Sequence, residues 1–412
     1  MLSLHRYFVE NQDVRSIIEG VKARLKEQLV VGLSGSARSV FISSLYRETE
    51  RPLLVIAHNL FQAQKIYDDL VQLLGAEEVF LYPVNEVIAA EMAIASPELK
   101  AQRLEVMNYW LKHNKGVVIC PVAGLRRLLP PVSLWRDHML TLEVHHHIDV
   151  EHYKQRFVQM GYKRVATVST PGEFSVRGGI IDIYPLTAEF PYRIELFDTE
   201  IESIRTFTAD DQRSRDEVQQ VTIGPADEMI VYGEMLERGI ERIEAGLAES
   251  LNKLKDEKAK QLLLEHVSSE LEQLKQGQEI EQQYKYTALF YNEPASLLDY
   301  MPENGILLMD EMSRLQEMAE SLDKEEAEWY TSLLSEGKII HDVPISHSFS
   351  ELLQKHPKQR IYLSIFLRHV PHTHPENIVN ISCKQMQNFH GQMSLLKSEL
   401  ERWKKQIMLL YF

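Results

Sequence analysis

Cysteine is nearly absent: the 412 residues hold two, Cys120 and Cys383, far apart in the chain. A disulfide framework is therefore not expected, and a reducing compartment, the cytoplasm, fits best. Long apolar runs are also missing. No stretch approaches the roughly 18–20 residues of a helical membrane span, so no membrane association is expected. Met1 to Gln12 mixes acidic, basic and aromatic side chains and shows no apolar signal-peptide core. Positive charge is in deficit, with 45 Lys+Arg against 60 Asp+Glu, a formal net of −15. Such a chain repels a nucleic-acid backbone unless its bases cluster. They cluster only weakly. Residues 126–215 hold 12 bases and 13 acids, and residues 226–284 hold 7 and 14. Neither segment is an autonomous DNA-binding module.

What is present is an ordinary globular composition, 44% apolar and 25% charged, long enough for about two to four domains. The first third alternates strand and helix. Leu53-Leu54-Val55-Ile56-Ala57 is a continuous apolar run of strand length, as in a strand buried on both faces. Leu60 to Leu74 follows with Ile66, Leu70 and Leu74 at helical spacing. Val79–Tyr82 and Val117–Cys120 are further strands, separated by a helical stretch from Pro97 to Lys112. Interleaving of this kind predicts a doubly wound α/β layer. After Pro130-Pro131 the pattern changes, and Tyr162 to Phe207 reads as short β-rich runs with Gly or Pro between them. Apolar residues at 236, 240, 243, 247, 251 and 254 predict a helical hairpin or one long helix up to Leu274, with acids facing solvent. Ile306–Glu311 and Arg360–Ile365 restore buried strands. No internal repeat or low-complexity tract occurs.

A phosphate-binding loop reads G-x-x-x-x-G-K-[ST] between a strand and a helix. At that place this chain reads Gly32-Leu33-Ser34-Gly35-Ser36-Ala37-Arg38-Ser39. Ala37 replaces the second glycine, adding a Cβ where backbone N–H groups must close on phosphate oxygens. Arg38 replaces lysine, a wide planar fork in place of a compact ammonium. Ser39 retains the capacity to hold Mg²⁺. Asp310-Glu311, after the apolar run Ile306–Met309, fits the acidic pair that positions metal and water in such sites. The pair also fits a helix N-terminus with favourable acids. With so degenerate a loop opposite, a structural relic is favoured over an ATPase, and no cofactor is expected for this chain.

Several blocks then point to a family. Gly32–Ser39, Leu53–Asn59, Gly172-Glu173-Phe174-Ser175-Val176-Arg177-Gly178 and Leu297–Pro302 with Asp310-Glu311 resemble UvrB, the damage-recognition subunit of nucleotide excision repair. The spacing, the defective loop and the stretch from Gln385 to Met393 more closely resemble the UvrB-like region of the transcription-repair coupling factors (Mfd). The resemblance implies a degenerate helicase-like parallel α/β domain with a small inserted β-rich domain. The boundaries expected are residues 1–125 and 216–378 for the two parts of the α/β domain, 126–215 for the β-rich insert that meets UvrA, and 379–412 for the start of a next domain. It also implies ATP and Mg²⁺ only in the full-length family, whose ATP-driven DNA translocase and RNA-polymerase-binding domain lie beyond this region. The chain's end after Glu401–Lys405 is read as a truncation.

For the insert, the resemblance implies docking on UvrA through basic residues beside an aromatic. The family's arginines fall on Arg164 and Arg177, and a further one falls on Ser175. Glu173, Phe174 and Arg193 complete the expected surface, which a distant domain masks in intact family proteins and which is expected to be open here. Arginine suits the task, because its fork pairs with carboxylates and packs flat on aromatics. A plainer reading makes Arg177 a charge protecting a strand edge. The rival function is a nucleotide-dependent DNA-repair ATPase using Ser39, Asp310 and Glu311. UvrB also carries an aromatic hairpin that grips DNA, but Val84–Ala95 has no aromatic cluster, so lesion gripping is not expected. His145-His146-His147 point alternately if on a strand and do not converge on a metal. Trp110, Trp135, Trp329 and Trp403 are scattered and read as packing residues.

Overall fold

The computed structural model describes residues 2–86, 96–278, 280, 282–367, 373–381, 383 and 393–410. Most of the Val84–Ala95 stretch and residues 385–392 of the Gln385–Met393 block therefore lie outside the described residues. The first strands are β1 (Glu27–Val31), β2 (Leu53–Ala57), β3 (Val79–Leu81) and β4 (Val117–Pro121). The chain then leaves on a long excursion containing β5 (Leu140–Glu143), β6 (Lys163–Arg164), β7 (Glu173–Arg177), β8 (Ile180–Ile183), β9 (Tyr192–Phe197), β10 (Glu200–Phe207), β11 (Ser214–Val218) and β12 (Gln220–Ile223). It returns with β13 (Ile306–Asp310), β14 (Gln359–Ser364) and β15 (Asn377–Asn380).

Seven strands form one sheet in the order β15-β1-β14-β13-β2-β4-β3, every neighbouring pair parallel. The continuous apolar runs are explained by burial on both faces. Leu54 and Ile56 pack with Leu104 and Met107 of helix Pro97–Lys112 and with Leu315 of helix Met312–Ser335. Leu53, Val55 and Ala57 pack on the other face with Phe41 of helix Ser36–Thr49 and Ile66 of helix Leu60–Leu74. A period of two thus divides one apolar run between two cores.

The excursion makes two further units. Strands β11-β10-β9-β8-β7-β6 form a six-stranded sheet, antiparallel apart from the β6–β7 pair, and β5 pairs with β12 beside it. One face of this sheet buries Phe174, Ile181, Ile183, Ile194 and Ile204 against Phe157 and Tyr162. Helices Gly233–Lys253 and Glu257–Lys275 form an antiparallel hairpin around Ile243, Leu247, Leu263 and Val267. The break that makes a hairpin of the apolar pattern falls at Leu254–Asp256, where Asp256 caps the second helix by accepting from the Lys258 N–H at 3.1 Å.

The β-rich unit is displaced from the expected 126–215. Leu129 and Trp135 are buried in the first α/β core, so the segment before Leu140 belongs there. At the other end β11 runs through 215 to Val218, and β12 follows, because Val221 and Ile223 complete the β-rich core. Among the described residues no helix is long and apolar enough to cross a membrane.

Candidate functional site

At the carboxyl end of β1 the chain turns through Gly32, at φ +92°. A Cβ there would lie 2.5 Å from the Ile381 carbonyl oxygen, so only glycine fits. Helix Ser36–Thr49 then begins, capped by Gly35. Arg38 sits in its first turn and is buried. Its guanidinium donates to Asp310 at the end of β13, to Glu311 Oε1 at 2.9 Å and to the Leu33 carbonyl at 3.2 Å. Ser39 Oγ donates to Asp69 Oδ2 at 2.9 Å. Glu311 has left-handed backbone, φ +58°, and its carboxylate also accepts the Ile365 N–H at 2.8 Å.

One arginine therefore ties together the loop after β1, the end of β13 and, through Glu311, the chain after β14. Burial raises the Asp310 pKa, and Arg38 opposes that shift. The remaining cleft holds about 170 Å³, below the roughly 300–1,000 Å³ of ordinary ligand pockets. These residues do not fit a magnesium triphosphate: the acids that would hold metal are bonded to Arg38, and the hydroxyl that would join them is bonded to Asp69. Asp310-Glu311 does stand at a helix N-terminus, with Glu311 the N-cap residue of helix Met312–Ser335, although its side chain makes no cap hydrogen bond.

The second candidate surface is the outer face of the β-rich sheet. Ser175 faces Asp182, Asp182 faces Arg193, and Arg193 faces Arg205 across four adjacent strands. Asp182 is fully buried and takes Arg177 Nη2 at 2.7 Å and Arg193 Nε at 2.7 Å. The Arg193 guanidinium also lies over the Phe207 ring at 4.4 Å. Arg177 remains about half exposed, with 48% of its side-chain surface free, and Arg164 is exposed on β6. One of the expected surface residues is corrected. Phe174 is completely buried, packed on Phe157 with ring centroids 5.3 Å apart, because it alternates onto the opposite face from Arg177. Glu173 serves its own loop: its carboxylate accepts the Ser169 and Thr170 N–H groups at 2.8 and 2.9 Å. Burial would raise its pKa, but these hydrogen bonds prevail and lower it. Sequence reasoning missed Asp182, whose signal was a carboxylate inside the apolar run Ile180–Ile183.

His145 meets Glu200 at 3.0 Å, His146 lies 3.5 Å from Glu143, and His147 meets Thr199 at 2.9 Å, three separate partners. Among the described residues no group of three potential ligands could hold a metal. Trp110 and Trp135 are core residues. Trp329 packs against the helical-hairpin core. The Trp403 side chain lies outside the described residues.

Residues 140–229 match the family profile of the UvrB interaction domain, covering the β-rich sheet and both its roots. The transcription-repair-coupling factor of Bacillus subtilis strain 168 is 52% identical over 405 residues, 98% of this chain and 34% of that protein. The chain belongs to the transcription-repair-coupling factor family. The Staphylococcus aureus USA300 protein of that name is 36% identical over 92% of this chain and 32% of its own length. That of Staphylococcus epidermidis is 35% identical over 91% of this chain and 32% of its own length. The chain thus spans about a third of the length of these coupling factors.

Proposed function

We propose that this chain acts in transcription-coupled nucleotide excision repair as a docking module that recruits UvrA, without binding or turning over nucleotide. The observation that supports docking is the match of residues 140–229 to the UvrB interaction domain, coinciding with a sheet whose outer face carries Arg177 and Arg193 and whose edge carries Arg164. The observation that weighs against the rival ATPase is the pairing of Arg38 with Asp310 and Glu311. On this reading, RNA-polymerase binding and DNA translocation belong to other portions of these factors. A cytoplasmic location follows from that role.

The structure also chooses the variants. Arg177→Glu would place a carboxylate against buried Asp182 and disturb the sheet, so Arg177→Ala and Arg164→Glu are the cleaner pair. Each is expected to weaken UvrA binding roughly tenfold or more, as for central interface arginines, with the melting temperature of Arg164→Glu unchanged. Binding should also weaken along a salt series, as screened charge pairs do. Undiminished UvrA capture by both variants would remove this face from the interface.

A further inference from the structure

The β-rich unit is joined to the α/β unit by a strap, residues 224–229, that is bonded on both sides. Toward the β-rich unit, Tyr162 Oη donates to the Gly224 carbonyl at 2.8 Å and the Ala226 N–H donates to the Met160 carbonyl at 2.8 Å. Toward helix Pro97–Lys112 the contacts are ionic. Arg103 grips Glu228 bidentately, Nε to Oε1 and Nη2 to Oε2, both at 2.8 Å, and its third nitrogen donates to the Pro83 carbonyl at 2.9 Å. The Arg103 side chain is completely buried and that of Glu228 is 2% exposed. Arg127 adds a bond to Glu228 Oε2 at 3.1 Å, and Lys100 pairs with Asp227 at 2.5 Å. Gly224 passes so close to Asn108 that a Cβ would meet its amide nitrogen at 2.6 Å.

Relative motion is the default between domains of one chain unless their contact is large and apolar. Here Leu186 packs against both cores, and to that apolar contact is added a planar fork closed on a carboxylate in a dry setting, which fixes direction as well as distance. Buried ion pairs of this kind are best attested where they set a register. We propose that Arg103, Glu228 and Arg127 are positioning residues that hold the β-rich unit in one orientation on the α/β unit, so that its outer face is presented rigidly rather than on a flexible arm. This does not depend on which partner the face receives.

The test is a distance measurement between spin labels at Gln64→Cys, on helix Leu60–Leu74, and Glu202→Cys, on β10, in a Cys383→Ser background. Both labelled positions are exposed and Cys120 is buried. The parent is expected to give one narrow distance distribution. Glu228→Gln keeps the shape of the joint and removes its charge, and should widen the distribution at least twofold while circular dichroism stays that of the folded chain. Should Glu228→Gln fail to fold, Arg127→Gln is read instead, with an intermediate width expected. A broad or multi-peaked parent distribution overturns the proposal, as does an unchanged width in whichever folded variant is read.

Discussion

Replacing Glu228 by alanine is expected to cost about 3–5 kcal/mol of folding stability, the range for breaking a buried ion pair from one side. The cost arises because Arg103, wholly inside the protein, would lose the carboxylate that both arms of its fork engage. Denaturant unfolding of the purified chain measures it. The pH dependence supplies a second reading. Burial alone would raise the Glu228 pKa, but Arg103 and Arg127 outweigh it and hold the carboxyl at about 2. A glutamate in the unfolded chain titrates near 4.3. Its folded pKa is therefore the lower one, and the stabilisation is present above about pH 4.3 and is lost as pH falls toward 2. The stability gap between the parent and Glu228→Ala should narrow as pH is lowered through that window. A gap independent of pH would show that the pair is not ionised as described.

Arg38→Ala is expected to have an effect of similar size, about 3–5 kcal/mol at neutral pH, because it leaves Asp310 buried and ionised without its guanidinium. Here too the deficit narrows toward low pH, but through proton uptake by the folded variant rather than loss of a stabilising pair. Burial already raises the Asp310 pKa, and Arg38 is the strongest influence lowering it. Without Arg38 the carboxyl rises further, so the folded state takes up a proton at higher pH than the unfolded chain does. Stability of the variant should fall as pH rises, and its deficit should be smaller at pH 5 than at pH 8. Unfolding curves at the two pH values decide the point. Equal deficits would mean that Asp310 does not depend on Arg38.

Much of the architecture was legible because it is local. Leu53–Ala57 announces a strand buried on both faces, and the spacing of Ile66 and Leu70 or of Ile240, Ile243 and Leu247 announces helices. The period of two in β7 was equally visible, and it already separates Phe174 and Val176 from Ser175 and Arg177. Grouping Phe174 with Arg177 as one surface overlooked that alternation. The insert's first boundary was misplaced for a different reason. Pro130-Pro131 marks a change of pattern, but Leu129 and Trp135 pack back into the first core, and no local signal carries that. The same holds for the ion pairs. Arg38 and Asp310 are 272 residues apart, and Arg103 and Glu228 are 125 apart. The loop chemistry of Ala37 and Arg38 could be judged defective from residue types alone. That its arginine would close on the acids opposite required the parallel order β1-β14-β13, which sets those ends side by side.

The central claim is that an internal guanidinium occupies the place a nucleotide and its metal would take. Calorimetric titration of the full chain with ATP and Mg²⁺, run beside a melt in 1 mM ATP, tests it most directly. No saturable heat and no shift in melting temperature are predicted. A site of about 10 μM affinity would add about 2.7 kcal/mol of stability at that concentration, a shift easily seen. Micromolar, Mg²⁺-dependent binding that disappears in Asp310→Ala would contradict the account.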